Sequence, residues 1–180
     1  MQITEDSNIL TMISSYEQRN QGFRLLVNKY KEKLYWHIRR IVIDHDDADD
    51  VLQNTFLKVV RSIDSFQQQS SIYTWLYRIA TNESINFINS KKNRQTEEIG
   101  NVVLYKAAGE SLMDDTKILN LLQLAINNLP EKQKLVFNMR YYDEMSYQDI
   151  AEITDTSVGA LKASYHHAVK KIEESLKAQI

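Results

Sequence analysis

SIYTWLYRIATNESINFIN, residues 71–89, is the stretch on which the reading of this chain turns. Laid on a helix at about 100° per residue, Trp75, Arg78, Asn82, Asn86 and Asn89 fall on one side. Leu76, Ala80 and Phe87 fall on another and can face a core. A flat ring, a guanidinium and three carboxamides in one row make poor core. They suit the faces and edges of unpaired bases, which are read by stacking and by amide or Arg hydrogen bonds. The competing account of the row is a partly buried Trp75 beside ordinary surface asparagines, as on many amphipathic helices.

Upstream, Phe23, Leu26, Val27, Tyr30, Leu34, Ile38 and Ile41 form a helical stripe, with Arg24, Lys29, Lys31, Lys33, Arg39 and Arg40 on the other side. A second helix is expected over about Ala48–Ile63, with Leu52, Thr55, Phe56, Val59 and Ile63 inward. Aspartates at its start suit the positive end of the helix dipole. A short polar loop, DSFQQQSS, then leads into residues 71–89. Another short helix is expected around Ile9, Met12 and Ile13. Downstream, residues 93–116 lose the amphipathic period and read as a linker. Periodicity resumes at Leu119, Leu122, Ile126 and Leu129, and again after Pro130.

Composition narrows the class. With 180 residues, 4 Gly and 1 Pro, helices joined by short turns are favoured over many strands. No apolar run approaches the roughly 18 residues of a membrane span, and no basic-then-apolar leader opens the chain. Zero Cys excludes a disulfide scaffold, a thiolate metal site and a Cys nucleophile, and fits a cytoplasmic protein. The net charge of −2 argues against coating nucleic acid by bulk electrostatics. Charge is uneven, though: Asp44–Asp50 holds five aspartates in seven residues, whereas residues 84–96 hold Lys91, Lys92 and Arg94 and no acid. Two different partners, a large charged protein and a nucleic acid, fit that split.

Residues 146–172, SYQDIAEITDTSVGALKASYHHAVKKI, read as two short helices about a tight turn. Ser146 with Asp149 resembles a capping box, Asp155 tolerates a left-handed turn, and Ser157 can cap the second helix. That helix buries Val158, Leu161, Tyr165, Ala168 and Ile172 and presents Lys162, Ala163, Ser164, His166, His167 and Lys170. This is the pattern of a helix-turn-helix. A structural helical hairpin is the alternative for this segment alone. His166 and His167 are poor candidates for a metal pair, because adjacent helical residues diverge and no third ligand is evident.

Three stretches together carry a resemblance: DADDVLQNTFLKV (residues 47–59), DSF with YTWLYRIATN (within residues 64–82), and LPEKQKLVFNMRYYDEMSYQDIAEITDTSVGALKASYHHAVKKI (residues 129–172). In this order and spacing they resemble the extracytoplasmic-function sigma factors, small bacterial members of the sigma-70 superfamily with only the second and fourth conserved regions. The likeness covers roughly residues 9–92 and 117–176. It implies that the acidic helix docks, through Asp49, Asp50, Gln53 and Asn54, on the clamp coiled coil of the largest RNA polymerase subunit. Asn54 stands where members usually have Glu. The resemblance also implies that Phe66, Trp75, Asn82 and Asn86, with Arg78 in the same row, capture a flipped non-template base of the −10 element. Lys162, Ala163, Ser164, His166 and His167 would read the duplex −35 element. Ser164, His167 and Val169 replace arginines common in the family, and Thr154, Asp155 and Thr156 replace its usual turn.

The expected architecture is all-α. A region 2 helical bundle (1–92) and a region 4 helix-turn-helix (117–180) are joined by a flexible linker (93–116). The expected function is that of a transcription initiation factor rather than an enzyme, without metal, cofactor or membrane insertion, since no phosphate loop or catalytic constellation is present. Its partners would be core RNA polymerase (clamp coiled coil and flap), promoter DNA as duplex and non-template strand, and an anti-sigma factor. The competing functions are a stand-alone helix-turn-helix regulator and a sigma-mimicking adaptor that sequesters an anti-sigma protein.

Overall fold

Leu26, Tyr30, Leu34 and Ile38 recur at four-residue spacing and are all buried along α2 (Arg19–Val42), the spine of the N-terminal part. The structure is a computed structural model that describes residues 5–97 and 114–178, with side chains over 5–93 and 118–178. Every element among the described residues is helical. The chain divides into two units, Met1–Lys92 and Asn93–Ile180. No described helix is long and apolar enough to cross a membrane.

In the first unit α1 (Glu5–Ser14) lays Ile9 and Ile13 on α2. Gly22 permits the close approach: a Cβ there would lie 2.8 Å from both Cγ1 and the backbone nitrogen of Ile13. Polar ties add direction. The Lys29 ammonium lies 2.8 Å from both Glu5 and Asp6, and the Tyr30 hydroxyl donates to Asp6 at 3.0 Å. Burial, with Asp6 beside it, pushes the Tyr30 hydroxyl well above its ordinary pKa.

Helix α3 (His45–Ser62) starts three residues before the expected Ala48, because Asp44 caps it by accepting from the Asp47 N–H at 3.1 Å. That bond holds the Asp44 carboxyl below its ordinary value, so its support of α3 is full at neutral pH and is lost on acidification through the lowered value. Ala48, Val51, Thr55 and Val59 face inward. The helix closes in a 3-10 turn, Ile63–Ser65, where the sequence suggested loop.

Helix α4 (Ile72–Glu97) follows, its first turn capped by Ser71, which accepts from the Thr74 N–H at 3.0 Å. Leu76 and Ala80 are fully buried, as their spacing predicts. Phe87, also expected inward, is only half-buried, with the Lys91 ammonium 6.0 Å from its ring centre. The buried side of α4 includes Thr74, Thr81 and Ser84, which an apolar stripe does not reveal. Ser84 returns its hydroxyl to the Ala80 carbonyl at 2.8 Å. Thr81 donates to the Tyr77 carbonyl at 2.7 Å and lies 2.9 Å from Nε2 of buried His37. Which of the two donates follows the tautomer of His37.

The second unit contains α5 (Asp114–Asn127), α6 (Glu131–Tyr141), α7 (Tyr147–Thr154) and α8 (Val158–Lys177). Ala125, Ile126, Leu129, Phe137, Ala168 and Ile172 form its core. The Phe137 ring is stacked between Tyr141 at 5.2 Å and Tyr165 at 5.8 Å. Ser146 caps α7 by accepting from the Asp149 N–H, Asp155 ends it at φ 51°, and Ser157 caps α8. These are the three devices read from sequence. Against the expected 93–116 linker, α4 continues to Glu97 and α5 begins at Asp114. The rest of that segment lies outside the described residues.

Two glycine substitutions of opposite sign test this packing. Gly22→Ala gains up to about 1 kcal/mol of helix propensity but overpacks α1, costing about 1–3 kcal/mol, so it should lower stability. Gly159 meets nothing within 4 Å. Gly159→Ala should therefore stabilise by up to about 1 kcal/mol. Urea unfolding monitored by circular dichroism should move the two midpoints in opposite directions.

Candidate nucleic-acid interface

The burial of Leu76, Tyr77 and Ala80 turns the other side of α4 outward. Trp75 and Arg78 are half-buried at the start of that side, and Asn82, Asn86 and Asn89 continue it fully exposed. The Phe66 ring lies 5.0 Å from the Trp75 ring, tilted by 40°. Phe66 is brought there by the 3-10 turn, where its N–H donates to the Ile63 carbonyl at 3.0 Å. The loop beyond turns sharply through Gln68, which is left-handed at φ 54°. Phe66, Trp75, Arg78, Asn82 and Asn86 are thus grouped on one outward edge. Two rings offer stacking area, while the carboxamides each offer a donor and an acceptor. Such an edge can stack and exchange hydrogen bonds with a flat polar ligand.

On α3 the acids divide by use. Asp44 caps the helix, and half-buried Asp47 pairs with Lys91 of α4 at 2.6 Å. Asp49, Asp50, Gln53 and Asn54 are all exposed, side by side on the outer face. The His45 Nε2 lies 3.7 Å from Asp49, and its Nδ1 is 2.6 Å from the Tyr35 hydroxyl. Sequence reasoning missed the Asp47–Lys91 tie. Its partners stand 44 positions apart, and no local spacing signals such a contact.

On α8, Lys162, Ala163, His166 and His167 are exposed along one face, while Ser164 is half-buried at its flank. The two imidazoles lie 5.9 Å apart. Tyr147, at the start of α7, also escaped the sequence reading. The Lys162 ammonium sits 5.9 Å from its ring centre and the Arg140 guanidinium 5.3 Å. Arg140 is oriented by donating to the Met145 carbonyl at 2.7 Å. Among the described residues, no group of three or more His, Cys, Asp or Glu could hold a metal ion.

A helical unit with an aromatic and carboxamide edge, followed in sequence by a capped helix-turn-helix, has close counterparts. The family described as Sigma-70 region 2 matches residues 26–94, and that described as Sigma-70, region 4 matches residues 119–172. The ECF RNA polymerase sigma-E factor of Haemophilus influenzae is 33% identical over 167 residues, covering 87% of this chain and 88% of that one. The protein of the same name from Escherichia coli is 30% identical over 171 residues, 89% of each. Among solved structures, the sigma factor RpoE bound to the anti-sigma factor NepR from Bartonella quintana aligns with a TM-score of 0.68 and 26% identity. It covers 86% of this chain and 96% of that one. CnrH, in complex with the cytosolic domain of CnrY, shares the fold at a TM-score of 0.71 and 20% identity over 97% of this chain and 99% of that one. The two matched regions stand in the same order as the two units, and the likeness to whole relatives runs through both: the chain belongs to the ECF sigma factors of bacterial RNA polymerase.

Proposed function

We infer that this chain is an alternative sigma factor: it binds core RNA polymerase and directs initiation at promoters that carry a −35 and a −10 element. The observation that carries the reading is the outward row of Trp75, Arg78, Asn82 and Asn86 with the Phe66 ring against Trp75 at its head. Phe66 and Trp75 hold a base drawn from the −10 duplex, and the carboxamides of Asn82 and Asn86 contact base edges, with Arg78 beside the strand backbone. Opening the duplex costs on the order of 1.4 kcal/mol per base step. One stacked base returns about 1–3 kcal/mol. This unit therefore nucleates a bubble of one or two bases, and the polymerase stabilises the rest.

Asp49, Asp50, Gln53 and Asn54 dock on the clamp coiled coil of the largest polymerase subunit, where an acidic helix gives steering and register. Lys162, Ala163, Ser164, His166 and His167 read the −35 duplex in the major groove. The chain acts in the cytoplasm as a subunit and contributes no bond chemistry of its own. The anti-sigma factor NepR accompanies the structurally similar sigma factor RpoE, and a protein of that kind is proposed as the negative partner here. A stand-alone regulator would leave the outward acids of α3 and the row on α4 without a use.

Reversing two docking acids, Asp49→Lys with Asp50→Lys, should abolish pull-down of core polymerase at near-physiological salt. Both side chains are exposed, so helicity should persist with at most about 0.3–1 kcal/mol of dipole stabilisation lost at each. Undiminished capture would sink the docking assignment.

Lys162→Ala and His167→Ala should weaken −35 footprints without altering capture of −10 single strand. If Lys162 touches a phosphate, the slope of log affinity against log salt should shrink by about one in Lys162→Ala. Unchanged footprints in both variants would mean that another face of α8 meets DNA.

Asn82→Ala holoenzyme should assemble and bind duplex promoter yet form few open complexes. Alanine is the better helix former, so the unit stays folded. A template with its −10 bases already mismatched should restore part of the activity. Normal permanganate reactivity of the −10 thymines on duplex promoter would remove α4 as the reader.

A further inference from the structure

The loop that presents Phe66 is held at both ends, and one of the two holders comes from far away in sequence. At its far end Ser71 caps α4. At its near end the 3-10 turn carries Asp64, two residues before Phe66, with buried Ile63 as its anchor and the Ser65 hydroxyl donating to the Ser62 carbonyl at 2.7 Å. Arg19, the first residue of α2 and 45 positions earlier, closes on that turn. Its Nη1 donates to Oδ1 of Asp64 at 2.9 Å and its Nη2 to Oδ2 at 2.8 Å. Nη1 also donates to the Ile13 carbonyl at 3.1 Å, and the guanidinium carbon sits 5.4 Å from the Phe23 ring centre. The fork is thus aimed by α1 and α2 before it meets Asp64. Each partner favours the charged form of the other: Arg19 is held above its ordinary value and Asp64 below.

An ion pair this exposed adds little to global stability, and Asp64 stays largely in solvent. What two parallel bonds add is orientation. Arg19 lies outside residues 26–94, the part that the region 2 family model matches. We propose that Arg19 is a positioning residue for base capture, whose two-bond fork on Asp64 sets the 3-10 turn so that the Phe66 ring stays beside that of Trp75. The proposal rests on reading Phe66 and Trp75 as the base-capture pair.

The test uses full-length chain reconstituted with core polymerase, on a promoter selected from a randomised library by the wild-type holoenzyme. The probe is 2-aminopurine in the non-template −10 strand, which brightens on unstacking. Opening is timed on duplex and on the same promoter mismatched across the −10 bases. Arg19→Gln and Asp64→Asn should slow opening of duplex about tenfold and leave the mismatched template within about twofold, with core binding and melting temperature unchanged. Arg19→Lys keeps the charge without the fork and should behave like Arg19→Gln. Wild-type opening in Arg19→Gln and Asp64→Asn, with Asn82→Ala and Phe66→Ala both slow, would overturn the proposal alone. Wild-type opening in Arg19→Lys would reduce the pair to a surface charge and overturn it equally. An equal loss on both templates, or a lowered melting temperature, would show a structural role and also overturn it. Normal opening in Asn82→Ala and Phe66→Ala would instead remove the base-capture reading itself.

Discussion

Complete burial of Leu76 and Ala80 fixes how α4 is turned about its axis, and the remaining features of the first unit follow from that choice. With those residues inward, Asn82 and Asn86 can only point outward, and Trp75 stands at the edge where Phe66 reaches it. The same setting brings Glu83 to Lys58 and Lys91 to Asp47, each at 2.6 Å, tying α3 to α4 at two levels. Asp49, Asp50, Gln53 and Asn54 are left on the free side of α3. A recognition edge and an acidic face thus share one rigid support. Adding a core-directed residue to the α4 row would disturb both.

The features legible in sequence were the periodic and local ones. Leu76 and Ala80 follow the helical period. Ser146, Asp155 and Ser157 act within three or four residues of themselves, where capping and turn preferences are strong. The exposed row on α4 and the exposed acids on α3 followed from the same periodicity. Contacts between residues distant in sequence were not legible. Asp47 with Lys91, Arg19 with Asp64 and His37 with Thr81 join positions some 44 or 45 apart. Nor did the apolar pattern reveal Thr81 and Ser84 as buried, because their hydroxyls are satisfied by carbonyls of their own helix. Phe87 shows the converse failure: an apolar residue at inward spacing is only half-buried, with the Lys91 ammonium 6.0 Å from its ring centre.

The uneven charge distribution fits a chain of net charge −2 to meet both a protein and DNA. Two of the five aspartates at the start of α3 are engaged within the fold, which leaves fewer to face a cationic partner than the composition suggests. On α8, His166 and His167 lie exposed on the same face as Lys162.

Buried His37 has a mechanical consequence. Apolar packing alone lets a helix roll by small angles at little cost, since one methyl contact replaces another. A directional bond does not: rolling α4 away from α2 would part Nε2 of His37 from the Thr81 hydroxyl inside the core, and an unmade buried bond costs about 1–3 kcal/mol. The bond therefore makes α4 torsionally stiff at the level of Thr81, one residue before Asn82. On the base-capture reading proposed above, a strand pulling back toward its duplex would load the outer edge of α4 as a torque, and the contact with His37 would pass that torque to α2.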